Sequence, residues 1–262
     1  MFEKVLIVYS EKISSNHAEV IEKVKQIIGK KLKLIVKAGD LQSHLFQDID
    51  LVVTIGGDGT FIRAASYLKN TPIIGINSES STSEGALTSI NESQLHELVQ
   101  ILDGKFKTIK RKRIQVIRNG IALDKLALND VFVGSKNQFH TSRYIIEFNG
   151  RKEEQRSSGV LICSGSGSHA WYKSAGGESF GFDEDKMCFL VREPFWRRVF
   201  RPSIIQGCIT KEQEILIESK MHENGAIGLD SDTVYAFNFG DICKIKISNT
   251  DLNVLYPIDN LK

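Results

Sequence analysis

Up to about residue 105 the apolar residues of this chain alternate between two periods; beyond it the helical period largely disappears. Residues 5–9 form a short apolar run suited to a buried strand. Candidate caps at Ser14, Ser15 and Asn16 then precede Val20, Ile21, Val24, Ile27 and Ile28, the spacing of one helix face. Residues 32–36 and 51–55 read as strands, and 61–68 as a helix with Phe61, Ala64, Ala65 and Leu68 on one side. Residues 72–76 read as a strand, and 93–102 as a helix that Gly104 ends. Such alternation specifies a parallel sheet covered on both faces. After 105, strand-like runs at 114–117, 126–133, 144–148, 160–163, 204–209, 215–218, 234–239 and 242–247 are separated by turn residues, with Asn149-Gly150 as a hairpin signal. The expected architecture is an α/β N-terminal domain with a parallel sheet over residues 1–105, then an all-β, sandwich-like domain over 106–245. A tail over 246–262 is expected to return to the first domain.

Several function classes drop out on composition. A net charge of +2 gives no global attraction to nucleic acid, and no apolar run approaches the roughly 20 residues of a membrane span. Neither nucleic acid nor membrane is an expected partner. The first residues enter a strand-like run at Val5 without signal- or transit-peptide character, so the expected location is cytoplasmic. Cys163, Cys188, Cys208 and Cys243 lack C-x-x-C spacing and an accompanying histidine cluster, which argues against zinc. They read as buried reduced thiols.

Three segments carry chemistry. The first, GGDGT at 56–60, follows a central-strand sequence, so it falls at the carboxyl end of a parallel strand, where ligands bind in open α/β sheets. Glycines let backbone N–H groups approach anionic oxygens, and the next helix, starting at about Thr60, brings its N-terminal dipole to the same point. Backbone donors then hold a phosphate chain while Asp58 acts as a base. A tight turn with Asp58 capping the helix accounts for the same residues. The second segment, 155–177, runs from Arg156 through a buried strand and a loop of Ser and Gly to His169, Trp171 and Tyr172. Small hydroxyls, close approach and an aromatic suit a nucleotide. The third is the pair Asn129-Asp130 within an apolar strand pattern, by default a plain turn.

Taken in order, GGDGT (56–60), ND (129–130) and QRSSG…SGSHAW…SAGG (155–177) resemble the ATP-dependent NAD kinase family, and its mitochondrial-type branch in Ser-Ser-Gly, Ala-Trp and Ser-Glu-Gly. GGDGT by itself is shared with lipid kinases and phosphofructokinases; the later segments select NAD kinase. The sequence departs from the family at Ser158, where an Asp is usual, at His169-Ala170-Trp171, and in the stretch that begins at Asn77.

The resemblance implies phosphorylation of the 2′-hydroxyl of the adenosine ribose of NAD, with Asp58 as general base. Gly57, Gly59 and Thr60 would contact phosphates, and Arg63 would pair with a phosphate oxygen. Asn77, Asn129 and Asp130 would hold the substrate. Arg156, Ser158, Ser166, His169, Ala170, Trp171 and Ser174 would line the second half of the site, with His140 as a further candidate. Mg²⁺ would arrive with ATP, with no metal cage of protein ligands. NAD and ATP, or another phosphoryl donor, are the implied small-molecule partners. Two other functions stand beside NAD kinase: a diacylglycerol- or sphingosine-type lipid kinase, which shares GGDGT, and a non-catalytic nucleotide-binding regulator, which Ser158 and the altered His169-Ala170-Trp171 segment suggest and the retained Asp58 argues against. The basic stretch 105–113 reads as a solvated strand at the domain junction. Residues 194–201, rich in Trp, Phe and Arg, read as a subunit interface of a homodimer or homotetramer.

Overall fold

Four consecutive residues with no exposure, Val5, Leu6, Ile7 and Val8, show how the first half is built: a strand whose both faces must be covered. A computed structural model describes residues 2–11, 14–196, 198 and 201–258. The chain divides into a unit of Met1–Arg111 with Thr250–Lys262 and a unit of Lys112–Asn249.

The first unit runs β1 (Val5–Tyr9), α1 (Ser15–Ile28), β2 (Leu32–Lys37), β3 (Leu51–Ile55), α2 (Asp58–Ala65), β4 (Ile73–Asn77), β5 (Ile90–Asn91), α3 (Leu95–Leu102) and β6 (Phe106–Arg111). Among the described residues the sheet order is β2-β1-β3-β4, with β5 also on β4. These pairs are parallel. Ser14 caps α1, its Oγ accepting from the His17 N–H. The apolar stripe of α1 and that of α3 share one cluster with Val5, Ile7, Val53, Ile55, Ile74 and Ile76. Phe61 of α2 instead lies over Gly75, whose Cβ would stand 2.8 Å from its ring. Gly75 alternates with Ile74 and Ile76, so α2 covers the opposite face. This is the covered parallel sheet the sequence leads one to expect.

The second unit contains β7 (Ile114–Arg118), β8 (Ile121–Ala122), β9 (Asp130–Ser135), β10 (Ser142–Phe148), β11 (Arg151–Ser157), β12 (Gly159–Cys163), α4 (Trp171–Ser174), β13 (Lys186–Arg192), β14 (Gln206–Thr210), β15 (Ile215–Ser219), β16 (Gly225–Leu229), β17 (Thr233–Ala236) and β18 (Ile242–Ile247). They form two antiparallel sheets, β11-β10-β15-β18-β7-β8 and β14-β13-β12-β9-β16-β17. One apolar core joins them, with Ile114, Tyr144, Ile217 and Ile245 from the first and Val133, Ile162, Phe189 and Ile227 from the second. It is a β-sandwich. In the second sheet, β9 and β12 are buried at every position, because its outer face is covered as well. Tyr172 and Phe180 pack there on Leu161, Cys163, Cys188 and Leu190. The Ser/Gly segment is therefore held against a sheet and is no free linker.

The chain then returns as β19 (Leu252–Pro257), parallel to β4 and antiparallel to β6. This pairing is why the division falls after Arg111 rather than near residue 105, and why the returning segment begins at Thr250 rather than at 246.

The cysteine expectation needs correcting. Cys163 and Cys243 are buried thiols, but Cys188 and Cys208 stand directly opposite each other on β13 and β14 and form a disulfide. Cys208 is exposed. Sequence spacing carries no sign of a cross-strand register, so the pairing was not legible.

Candidate active site

The order β2-β1-β3-β4 reverses direction between β1 and β3, since β2 lies on one side of β1 and β3 on the other. Ligands in open α/β sheets bind outside the carboxyl ends of the strands at such a point. GGDGT occupies that position after β3. Gly57 is the N-cap of α2 without a side-chain hydrogen bond, and Asp58 begins the helix. The Asp58 carboxylate does not cap its own helix. Its Oδ1 accepts from the Leu87 N–H at 2.8 Å and its Oδ2 from the Ala86 N–H at 3.1 Å. The space a side chain would take at Gly59 is open to 4 Å, leaving room above the helix start. Thr60 is buried, its N–H donating to the Gly57 carbonyl. Arg63 reaches Glu11, after β1, at 3.3 Å.

Asn77, at the end of β4, is 3% exposed. Its Nδ2 donates to the Ser83 carbonyl at 2.8 Å and its Oδ1 accepts from the Glu79 N–H at 3.2 Å. The next residue, Ser78, meets a group that sequence reasoning missed: His17 Nδ1 lies 2.7 Å from its Oγ. Burial lowers the pKa of this imidazole, against the raising effects of the Glu79 charge and the Ser10 backbone. It is a neutral ring whose buried Nε2 has no hydrogen-bond partner among the described residues. A histidine inside an amphipathic helix stripe gave no signal.

In the second unit the Ser/Gly segment meets Asn129 at the Cys163 end of β12, where Cys163 pairs with Asp130, whereas Ser158 and the β9–β10 loop with His140 belong to the opposite end of that strand pair. Ser164 donates from its N–H to the Asn129 carbonyl at 2.9 Å and from its Oγ to the Leu128 carbonyl. A Cβ on Gly167 would overlap that same Asn129 carbonyl, so the Ser/Gly loop is glycine-bearing for close backbone approach. The Asn129 side-chain Oδ1 is buried with no partner among the described residues. Asp230, which sequence reasoning did not single out, organises the turn: its carboxylate accepts from the N–H groups of Leu128, Asn129 and Asp130 at 2.7, 2.7 and 3.0 Å. Burial first, and the Asp230 charge second, push the Asp130 carboxyl up to about 7. Burial also pushes Asp230 up to about 6, but three N–H donors oppose the shift. Those donors favour the ionised form of Asp230, so of the two carboxyls Asp130 is the more readily protonated.

Farther along the segment, Ser166 is buried while His169, Ala170 and Ser174 are exposed. His169 Nε2 lies 3.2 Å from the Phe180 carbonyl, and Ser174 donates from its N–H to the Ala170 carbonyl. Trp171 stacks on Phe132 at 5.7 Å and carries the Arg192 guanidinium 5.1 Å from its ring. Arg156 and Ser158 lie at the β11–β12 corner, where the Phe195 N–H donates to the Arg156 carbonyl and the Ser158 N–H to the Arg192 carbonyl. His140 is exposed on the β9–β10 loop, edge-on to Phe139. Within 194–201, residues 197, 199 and 200 lie outside the described residues; Phe195 and Trp196 are exposed.

An α/β unit with GGDGT at its sheet's switch point, joined to a β-sandwich bearing an Asn-Asp turn, has the layout of a kinase. The family described as the ATP-NAD kinase N-terminal domain matches residues 5–106. The NAD kinase of Acinetobacter baylyi is 30% identical over 226 residues, covering 82% of this chain and 70% of that one. The chain belongs to the NAD kinase family. A probable NADH kinase of Oryza sativa is 28% identical over 272 residues, covering 94% of this chain and 83% of that one. An NAD kinase of Archaeoglobus fulgidus, solved in complex with ATP, shares the fold with a TM-score of 0.71 at 21% identity, covering 95% of this chain and 92% of that one.

Proposed function

We propose that this kinase transfers the terminal phosphoryl group of Mg-ATP to the 2′-hydroxyl of the adenosine ribose of NAD or NADH. The observation that carries the reading is the Asp58 carboxylate, held by two backbone N–H groups beside an open helix start. Each carboxylate oxygen keeps a further lone pair for the sugar hydroxyl. The 2′-oxygen forms the new P–O bond as its proton passes to Asp58, and the bond to ADP breaks. Gly57, Gly59 and Thr60 contact the phosphates. Arg63, whose ion pair with Glu11 is partly exposed, serves them with its guanidinium. Mg²⁺ comes with ATP as part of the substrate and neutralises charge on its phosphate oxygens.

Asn129 and a protonated Asp130 hold the nucleoside. The buried, unpartnered Asn129 Oδ1 supports this role, since such an acceptor is costly unless a ligand donates to it. Arg156, Ser158, Ser166, His169, Ala170 and Ser174 complete the NAD side, with Trp171 already stacked and His140 at its margin. Exposed Phe195 and Trp196 support a homo-oligomer, and the cytoplasm is the proposed location. No described helix is long and apolar enough to cross a membrane.

Purified protein given Mg-ATP, other triphosphates or polyphosphate, with NAD or NADH, is expected to form NADP(H) with ATP. Asp58→Asn should lower turnover roughly 10²–10⁴-fold. Wild-type turnover in that variant would remove Asp58 from the chemistry. Phosphorylation of a diacylglycerol or sphingoid base with none of NAD would install the lipid kinase instead.

A further inference from the structure

The β4–β5 loop stands where the family's usual sequence is replaced, and it supplies the two N–H groups on Asp58. Among the contacts that fix its shape, those of Asn77, Gly85 and Thr88 flank the Asp58-binding amides. Asn77, buried at the end of β4, ties down Ser83 with its amide nitrogen and Glu79 with its amide oxygen. Gly85 turns the chain at φ +63, and a Cβ there would stand 2.5 Å from the Asn77 Nδ2 and 2.7 Å from the Thr88 Oγ1. Thr88 closes the turn, its N–H and Oγ both donating to the Gly85 carbonyl at 3.1 and 2.8 Å. Leu87, 5% exposed, anchors the peptide that follows. Ala86 and Leu87 then present consecutive N–H groups to the two oxygens of one carboxylate.

We propose that Asn77 and Gly85 are positioning residues: they set the backbone turn whose Ala86 and Leu87 amides aim Asp58. The proposal rests on Asp58 being the base. Both hydrogen-bonding ends of the Asn77 side chain are spent inside the loop, which suits a brace and not a substrate contact. A carboxylate held at both oxygens has one orientation, and an error of about 1 Å in a reacting group costs on the order of 10²-fold in rate. Without the turn, Asp58 rotates freely about its side-chain bonds.

Two measurements test this. Steady-state kinetics of Asn77→Ala, Gly85→Ala, Asp58→Asn and the double variant Gly85→Ala/Asp58→Asn form a cycle. The single loop variants should lose roughly 10–100-fold in kcat, with the KM of both substrates changed less than about threefold. The double variant should be no slower than Asp58→Asn, because the loop acts only through that carboxylate. Losses that multiply, or that fall mainly in KM, would overturn the proposal. Asp58→Asn at wild-type rate would sink the catalytic reading and leave the aiming of Asp58 to the second measurement.

That measurement is hydrogen exchange on the folded wild type and Asp58→Ala, independent of activity and of whether Gly85→Ala folds. The Ala86 and Leu87 amides should be protected in the wild type and lose protection in Asp58→Ala, while β3 amides keep theirs. Fast exchange of both in the wild type, or unchanged protection in Asp58→Ala, would show that the clamp does not exist.

Discussion

At the scale of single residues, Asp130 and Asp230 carry a pH dependence whose direction follows from their surroundings. Both carboxyls are raised, Asp130 to about 7 and Asp230 to about 6, with burial the larger cause for each. Between the unfolded value near 3.8 and pH 7 the folded chain binds more protons than the unfolded one. The pair's stabilising contribution is thus complete below about pH 4 and is lost as pH rises through 7. Asp130→Asn keeps the shape and removes the charge. It should match the wild type below about pH 4 and exceed it at pH 8 by on the order of 4 kcal/mol in urea unfolding. A variant less stable than the wild type at pH 8 would mean that the ionised Asp130 is stabilised where it lies. Asn129-Asp130 was legible through its resemblance; Asp230 was not, because an Asp in a Leu-Asp-Ser-Asp turn looks like ordinary turn chemistry until the register sets it beside the N–H groups of residues 128–130. The amides of Ala86 and Leu87 left no trace at all, since a backbone donor has no side chain to announce it.

At the scale of elements, legibility followed burial pattern. β1, β3 and β18 lie at the expected residues because their apolar runs end sharply at turn residues. β11 was hidden by its composition: Arg151–Ser157 is an edge strand, and edges carry charge that reads as loop. β13, Lys186–Arg192, was not singled out although its middle is a continuous buried run like those of β1 and β3. That strand also carries the disulfide. Alkylation in denaturant without reductant should label Cys163 and Cys243 only, and all four cysteines after reduction. In the folded protein both thiols should stay unreactive, since burial disfavours each thiolate and pushes Cys163 up to about 12. With a sequence separation of 20, reduction should lower stability by about 3 kcal/mol on the chain-entropy scale. Four labelled cysteines without reductant would show the pair to be open.

At the scale of the whole molecule, the chain leaves its first unit after Arg111 and returns to it at Thr250. The sequence led one to expect two architectures and a tail that returns to the first, but not that the tail is a strand of the first sheet, because β19 pairs with partners more than a hundred residues away. It lies between β4 and β6 in the first sheet. Leu252, Val254 and Leu255 of β19 are 0%, 0% and 1% exposed. At about 1.5–3 kcal/mol for each buried side chain they contribute roughly 5–9 kcal/mol, comparable with the whole stability of a domain, about 5–15 kcal/mol. The second unit has its own core, drawn from both of its sheets and from none of β19. Stopping the chain after Asn249 should therefore unfold the first unit and leave the second intact. Limited proteolysis of the truncated protein should digest the residues before Lys112 and leave a resistant fragment of about 112–249, with NADP(H) formation abolished because Asp58 goes with the digested part. If the truncated chain resists proteolysis along its whole length, β4 and β6 hold the first unit together without the strand between them.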